Sequence, residues 1–294
     1  MPDSASGAAS GQVSVVIITR NRRESLLNTL ERLQGLPERP AIVVVDNGST
    51  DGSAQAVRAG HPGVVVIEAG RNLGAAARNL GVARARTPYI AFSDDDSWWA
   101  PGALTSATAV LDHHPAVGLV AARVLVGPDD DDDPLNEVMA RSALPASASV
   151  PGRPVIGFLA CAAIVRRTAF LAAGGFHPRF GVGGEETLLA LDLRRLHWEV
   201  IYLPDVVAHH HPSPRRDDGR RDRHLARNAL WTAWLRLPLR DAVAQTIDVL
   251  KQCRNDPHVR RGMLDALFGA PGVLRERDVV GERLALQWRL VRQL

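Results

Sequence analysis

The chain has 294 residues, enough for one large domain or two small ones. Its 46% hydrophobic and 23% charged residues permit a packed core and exclude global disorder. The net charge of +3 is modest, and the arginines cluster in one segment without interleaved stacking aromatics, so no nucleic-acid partner is expected.

The N-terminal stretch "MPDSASGAASGQ" has neither a basic n-region nor an apolar h-region, so residues 1–11 are expected as a flexible tail rather than a signal peptide. Residues 13–19, "VSVVIIT", are apolar on both faces and read as a buried parallel strand. "RNRRESLLNTLERLQGL" follows as a helix with Leu26, Leu27, Leu30 and Leu33 on one face, stopped by Gly35 and Pro37. "AIVVVDNGSTDGS" is a second buried strand ending at Asp46, with a short helix over 53–59. "GVVVIEA" is a third strand, 74–86 a helix and "YIAFS" a fourth strand. This alternation implies a doubly wound, mostly parallel α/β sheet flanked by helices.

Further along, 102–114 reads as a helix and "VGLVAARVLVG" as a strand. "PDDDDDP" at 128–134 lacks the Asp-x-Asp-x-Asp-Gly pattern of a calcium loop and is expected as a solvated acidic loop. Residues 142–154 read as another exposed loop. "VIGFLACAAIV" is a strand and "AFLAAGGF" a helix ending at glycine. "FGVGGEETLLALDLRRLHWEVIYLP" gives a glycine loop, a helix from about Glu185 and a strand at 199–203. After "DVVAHHHPSPRRDDGRRDRHLARN" an all-helical extension runs to 294. Cys161 and Cys253 stand far apart and offer no disulfide framework, so a cytoplasmic location is expected. No uncharged apolar run reaches the roughly 18 residues of a membrane span.

Ligands of such sheets bind outside the carboxyl ends of the strands. Thr19, Arg20 and Asn21 follow the first strand, and Asp46, Asn47, Gly48, Ser49, Thr50 and Asp51 close the second. Gly70, Arg71, Asn72, Leu73 and Gly74 follow the third, and Asp94, Asp95 and Asp96 the fourth. Three adjacent carboxylates stop repelling one another when a divalent cation sits among them, and hard oxygen ligands suit Mg²⁺ or Mn²⁺ shared with substrate phosphates. The plainer reading is an aspartate turn before the next helix. Asp46 is placed to accept hydrogen bonds from a nucleobase or ribose, or else to close an Asx turn. No Gly-x-Gly-x-x-Gly follows the first strand, and there is no Walker A sequence.

"VSVVIITRNR", "VVVDNGSTDGS", "RNLGAAARNLGVARA" and "YIAFSDDDSWWAPGAL" together resemble the family 2 glycosyltransferases, in order over residues 13–105 and more weakly to about 211. The resemblance implies a GT-A-type fold with a C-terminal helical extension. Residues 12–105 would be the nucleotide-sugar-binding part, 106–212 the acceptor-binding and catalytic part of the same domain, and 213–294 a basic linker and helical extension. It further implies an inverting, metal-dependent transfer from a nucleotide-diphosphate sugar to a hydroxyl of a glycan, a lipid-linked acceptor or a small molecule. By resemblance Asp46 contacts the base with Thr19 and Arg20 nearby. Asn21, Asn47, Ser49, Asn72 and Gly74 belong to the same strand-end loops, and Arg78 and Asn79 position the nucleotide. Asp94 and Asp95 face the donor, with Asp94 toward the ribose, and Asp96 with Asp94 holds Mn²⁺ or Mg²⁺.

The acidic pair that such enzymes carry at a helix start falls on Glu185 and Glu186, with Glu186, or Glu185, as base. Burial and a like-charged neighbour tune a carboxylate upward for that role. Acids in a first helical turn also simply favour the helix dipole. The family more often has Asp as the second acid and a further acid where this chain has Leu188 and Leu189, and Asp192 lies beyond. In "HHHPSP" one histidine is expected to complete the metal site. Alternation along a strand points His209 and His211 together and His210 away, which favours His209.

Trp98 and Trp99 offer an apolar face to a sugar ring, with one of them in the core. Arg215, Arg216, Arg220, Arg221, Arg223 and Arg227 form a basic segment that reads first as a solvated linker before a core-facing helix; it also suits a diphosphate or, helped by Trp231, Trp234 and Leu235, anionic lipid at the inner face of a membrane. The competing readings are a sugar nucleotidyltransferase, disfavoured by the missing glycine-rich loop after the first strand, and a non-catalytic scaffold with a decayed transferase fold.

Overall fold

The computed structural model describes residues 11–212 and 218–292. The tail expected over 1–11, apart from Gly11, and Arg215 and Arg216 lie outside the described residues, as does the side chain of Arg220. In chain order the elements are β1 (Val13–Thr19), α1 (Arg23–Gln34), β2 (Ala41–Asp46), α2 (Ser53–Gly60), β3 (Val65–Glu68), α3 (Ala77–Arg84), β4 (Tyr89–Asp94), β5 (Ser97–Trp99), α4 (Ala103–His113) and β6 (Val117–Val126). They continue with β7 (Asp131–Asp132), α5 (Pro134–Ala140), β8 (Arg153–Pro154), β9 (Ala163–Arg166), α6 (Arg167–Ala172), α7 (Glu185–Arg195) and β10 (Glu199–His210). Helices α8 (Asp218–Arg236), α9 (Leu239–Gln252), α10 (Pro257–Arg275) and α11 (Glu282–Val291) follow.

The β-branched run of β1 is buried on both faces, and this places it inside the sheet. Val13, Val15 and Ile17 pack with Leu26, Leu30 and Leu33 of α1, while Val16 faces Val82 of α3 and Phe92 of β4. Each fully buried leucine of α1 contributes about 1.5–3 kcal/mol of transfer free energy. The sheet order is β3-β2-β1-β4-β9-β6-β10-β5, with β7 on β6 and β8 on β10. β1 runs parallel to β2 and β4, β2 to β3 and β6 to β10. β9 is antiparallel to both β4 and β6, and β5 to β10. The sheet is mixed rather than mostly parallel, because the short strands β5, β7, β8 and β9 pair antiparallel. The α/β layout flanked by helices, with extra C-terminal helices, is the expected architecture.

Three local expectations change. Only Ala163–Arg166 of the apolar run 155–165 pairs as a strand, and a 3-10 turn at Ala160–Ala162 precedes it. A continuous apolar run signals burial, which a coil beneath the sheet end satisfies as well as a strand. The strand expected at 199–203 runs to His210, passing Pro204 through a register shift between Leu203 and Val207. The acidic run is not simply solvated. Asp132 pairs with Arg123, Asp133 caps α5 through the Leu135 N–H at 2.8 Å, and Asp130 meets His209. Finally, the lipid-facing alternative for the helix after the basic linker falls, and the core-facing reading holds. Trp231 and Leu235 join a third core cluster with Phe180, Leu188 and Val259, and Trp234 packs partly buried against it. Among the described residues no helix is long and apolar enough to cross a membrane.

Candidate active site

Register brings the expected residues to one edge. Thr19 lies opposite Asp46, and Ile18 opposite Asp94, so the ends of β2, β1 and β4 stand side by side. Beyond β4 the chain turns tightly, with the Asp94 N–H donating to Ser97 Oγ at 2.7 Å. The carbonyl of Asp95 accepts from the hydroxyls of Ser25 and Thr29 on α1, at 2.8 and 2.9 Å. Helix α1 thereby fixes the turn that carries the three aspartates.

Each carboxylate has a separate partner. Asp94 pairs with the buried Arg78. Asp95 Oδ2 accepts from Thr19 Oγ1 at 2.9 Å, and its Oδ1 lies 3.2 Å from Arg22 Nε. Asp96 Oδ2 lies 2.9 Å from Arg22 Nη2, and its Oδ1 3.4 Å from His210 Nε2. Burial pushes the Asp95 carboxyl up to about 7, with Asp96 and Asp94 adding to the rise and Arg22 and Thr19 opposing it. Burial also works against an ionised Asp96, but His210 and Arg22 outweigh it and hold that carboxyl below its usual range. Arg22 was not singled out in the sequence. The only signal was its place in "TRNRRESLL", three residues past the end of β1.

Several of the expected nucleotide-side residues shape loops. Asp46 Oδ1 accepts from the Ser49 N–H at 2.7 Å, an Asx turn. Asn47 accepts from the Leu73 N–H at 2.7 Å and donates to the Gly74 carbonyl at 3.0 Å, tying the loop after β3 to the end of β2. Asn72 accepts from the Gly74 N–H at 2.9 Å. Asn21, at φ 54°, donates its N–H to Ser49 Oγ and accepts from the Thr50 N–H. Arg20 is exposed at the mouth. Asn79, expected at the nucleotide, binds the Phe176 backbone, accepting from its N–H at 3.0 Å and donating to its carbonyl at 2.8 Å. Arg78 retains an unpartnered Nε among the described residues.

Gly74, at φ +61°, lies so close to Gly181 that a Cβ would sit 2.5 Å from the Gly181 Cα. The Ala75 N–H donates to the Gly181 carbonyl at 2.8 Å. This contact brings the glycine loop, and with it the start of α7, against the loop that follows β3. Glu185 is buried and Glu186 half-buried. Burial raises both carboxyls, and the Glu186 charge adds to the rise at Glu185, which goes well above the usual range. Glu185 Oε2 has no hydrogen-bond partner among the described residues, and the Ala160 backbone beside Glu186 opposes the rise there. Two buried like charges resist ionising together, so the pair titrates as a unit and retains a proton above the usual carboxylate range. The 3-10 turn links the two acid groups, since the Cys161 carbonyl accepts from Ser97 Oγ at 3.3 Å. Leu188 and Leu189 are core, and the buried Asp192 pairs with Arg236 of α8.

The histidines alternate as expected, with the aspartates on the other side. His209 stacks on Trp98 at 5.6 Å and bonds Asp130 at 2.8 Å, and His211 also faces Trp98. His210 is the histidine beside Asp96, in place of the expected His209. The register shift at Leu203/Val207 and the pairing of β10 with β5 set that side. Trp99 is fully buried. Trp98, expected as a sugar platform, is covered by His209 and by Arg32 at 4.0 Å from its ring centroid.

Among the described residues, no group of three or more His, Cys, Asp or Glu side chains is arranged to hold a metal ion. The donor set still suits a hard cation shared with a ligand. Asp94 and Asp96 offer carboxylate oxygens with one residue between them, and ions of the Mg²⁺ class take only one or two protein carboxylates beside substrate phosphates.

The family model described as glycosyl transferase family 2 matches residues 14–172. An N-acetylglucosaminyl-diphospho-decaprenol L-rhamnosyltransferase of Mycobacterium tuberculosis is 26% identical over 274 residues, covering 77% of this chain and 87% of that protein. A pre-mycofactocin glycosyltransferase of the same organism is 34% identical over 236 residues, 74% of this chain and 46% of its own length. Among solved structures, the mannosyltransferase PcManGT of Pyrobaculum calidifontis, in complex with GDP-Man and Mn²⁺, superposes with a TM-score of 0.61 at 22% identity, over 90% of this chain and 72% of that one. Fold, strand-end site and family model agree, and the chain belongs to glycosyl transferase family 2 as a glycosyltransferase of the GT-A fold.

Proposed function

We propose that this glycosyltransferase moves a sugar from a nucleotide-diphosphate donor to an acceptor hydroxyl, with inversion and with Mn²⁺ or Mg²⁺. The observation that carries the reading is that buried Arg78, ion-paired with Asp94 of the strand-end turn, also acts on the Glu185/Glu186 pair, so two acid groups meet at one guanidinium. Asp96 lies below its usual range and the glutamate pair above its own. Residues 12–105 bind the donor and 106–212 the acceptor.

Asp46 keeps one carboxylate oxygen for the base beyond the Asx turn, beside Thr19 and Arg20. Asn21, Asn47, Ser49, Asn72 and Gly74 hold the surrounding loops. Arg78, with donor capacity left at Nε, faces the donor together with Asp94. Asp94 and Asp96 supply hard oxygens to the cation, with His210 rather than His209 beside them. When bound, the cation supplies Lewis-acid stabilisation of the departing diphosphate charge.

Glu186 takes the acceptor hydroxyl proton while the oxygen attacks the anomeric carbon. The carbon–oxygen bond to the diphosphate breaks, and the nucleoside diphosphate leaves with its electron pair. A proton retained on the pair leaves one carboxylate as base without a second buried charge. The reaction is placed in a reducing, cytoplasmic setting, in keeping with the two free thiols Cys161 and Cys253. The test is turnover across nucleotide sugars, with the product anomer read by proton NMR. An inverted anomer, lost on chelation, is expected, and a retained anomer overturns the single displacement.

A further inference from the structure

Helices α8 and α10 run side by side and leave a cleft of about 800 Å³ between them. The volume lies within the range of ligand pockets. The lining of α8 recurs every four residues, at Gly219, Arg223, Arg227 and Trp231, so one face of the helix forms one wall. The α10 wall carries His258 and Arg261 at its start and Phe268 and Gly269 two turns later. Both walls therefore grade in the same direction, from cationic to aromatic. Twelve residues of helix span about 18 Å.

The floor is fixed. Trp231 Nε1 donates to the Ala266 carbonyl at 3.1 Å, and a Cβ on Gly269 would lie 2.3 Å from the Trp231 ring. At the cationic end Arg223 is held by Asp265 at 2.6 and 2.8 Å, so three arginines face one carboxylate. At the other end Phe268 is 89% exposed, with Leu267 at 60% and Leu264 at 54% on the same helical face. Single exposed apolar side chains need no explanation, but three on adjoining turns beside a cationic cleft form a patch that does.

The cleft adjoins the reaction site. Arg227 donates to the Phe180 carbonyl, and Asn228 Nδ2 donates to the carbonyls of Phe180 at 3.0 Å and Gly183 at 2.6 Å. The same stretch of α8 thus lines the cationic end of the cleft and holds the loop that leads into Glu185.

We infer that the α8–α10 cleft binds an anionic amphiphile, a phosphate or diphosphate joined to an apolar chain, as the carrier of the acceptor hydroxyl. The charged head lies between Arg223, Arg227 and Arg261, where guanidinium forks match phosphate oxygens. The chain follows Trp231 and Phe268 out along the exposed leucines of α10. This rests on the transferase reading for the reacting hydroxyl, but the binding site itself does not.

The test is calorimetric titration of the full chain with submicellar farnesyl diphosphate, inorganic pyrophosphate and farnesol, for the native protein, Arg261→Glu and Phe268→Ala. Both side chains are exposed, and melting curves check the fold of each variant. Farnesyl diphosphate is expected to bind at least tenfold more tightly than either half-probe, with each variant weakening it at least tenfold. Equal binding of pyrophosphate overturns the inference, as does indifference to both substitutions. So does binding confined to phosphatidylglycerol vesicles, which assigns the face to a bilayer surface, or a Phe268-dependent dimer that binds no farnesyl diphosphate. A nucleotide-sugar titration of the same native protein reports separately on the strand-end site, and the farnesyl diphosphate result decides the cleft whatever the donor does.

Discussion

Arg22 places its Nη2 2.9 Å from Asp96, while its Nε lies 3.2 Å from Asp95. One guanidinium bridges two neighbouring carboxylates that would otherwise repel each other in a buried turn. Arg22→Ala leaves that charge uncompensated. Because about a third of the arginine side chain is exposed, the expected loss is only about 1–2 kcal/mol. Millimolar Mn²⁺ should restore more of the melting temperature in the variant than it adds to the native protein. Equal Mn²⁺ shifts in both proteins would count against a cation site at the aspartates.

The two glutamates should separate under conservative substitution. A folded-state carboxyl raised above its unfolded value binds its proton more tightly in the native state. The associated stability is present below about pH 4.3 and is lost as pH rises toward the folded pKa. Burial and the Glu186 charge put Glu185 in that class. Glu185→Gln should therefore raise the melting temperature at pH 7 by about 2–4 °C and flatten its fall between pH 5 and 7. Glu186→Gln should lower kcat by about 10²–10⁴-fold with donor affinity kept. Full activity in Glu186→Gln would move the base elsewhere.

Gly74 meets Gly181 where the loop that follows β3 touches the loop leading to the glutamates. Gly74→Ala forces a Cβ to within 2.5 Å of the Gly181 Cα and strains a φ of +61°. A loss of about 1–3 kcal/mol is expected, with a fall in kcat, because the loop must move away. A native melting temperature and kcat would show that this contact positions nothing.

Asn79 distinguishes a structural from a ligand role. Asn79→Ala leaves the N–H and the carbonyl of Phe176 without their partners, at about 1–3 kcal/mol each. Differential scanning fluorimetry should show the loss, while the donor Kd changes by less than about threefold. A collapse in donor affinity at an unchanged melting temperature would return Asn79 to the nucleotide.

The sheet was legible because burial on both faces leaves a β-branched run such as Val13–Thr19 few alternatives. The strand-end aspartates were legible because the chain order of motifs fixes which edge they share. What was not legible depended on register or on distant partners. His210 replaces His209 beside Asp96 because β10 slips register past Pro204, and no count of alternating positions from Glu199 survives that slip. The core-facing side of α8 was legible at Trp231, but the partner that receives it, Gly269 on α10, was not. Arg22 ends the first family-like motif without a role assigned to it there, and only the turn after β4 brings Asp95 and Asp96 to it.

The central claim is that the strand-end carboxylates bind a nucleotide sugar together with a divalent cation. Calorimetric titration with a panel of uridine, guanosine and thymidine diphosphate sugars, with Mn²⁺, with Mg²⁺ and after chelation, tests it most directly when native protein is set against Asp96→Ala. The expected result is saturable, metal-dependent binding of one donor that the variant loses by at least tenfold while remaining folded. Equal binding by the variant, or no binding of any donor with either metal, would contradict the claim.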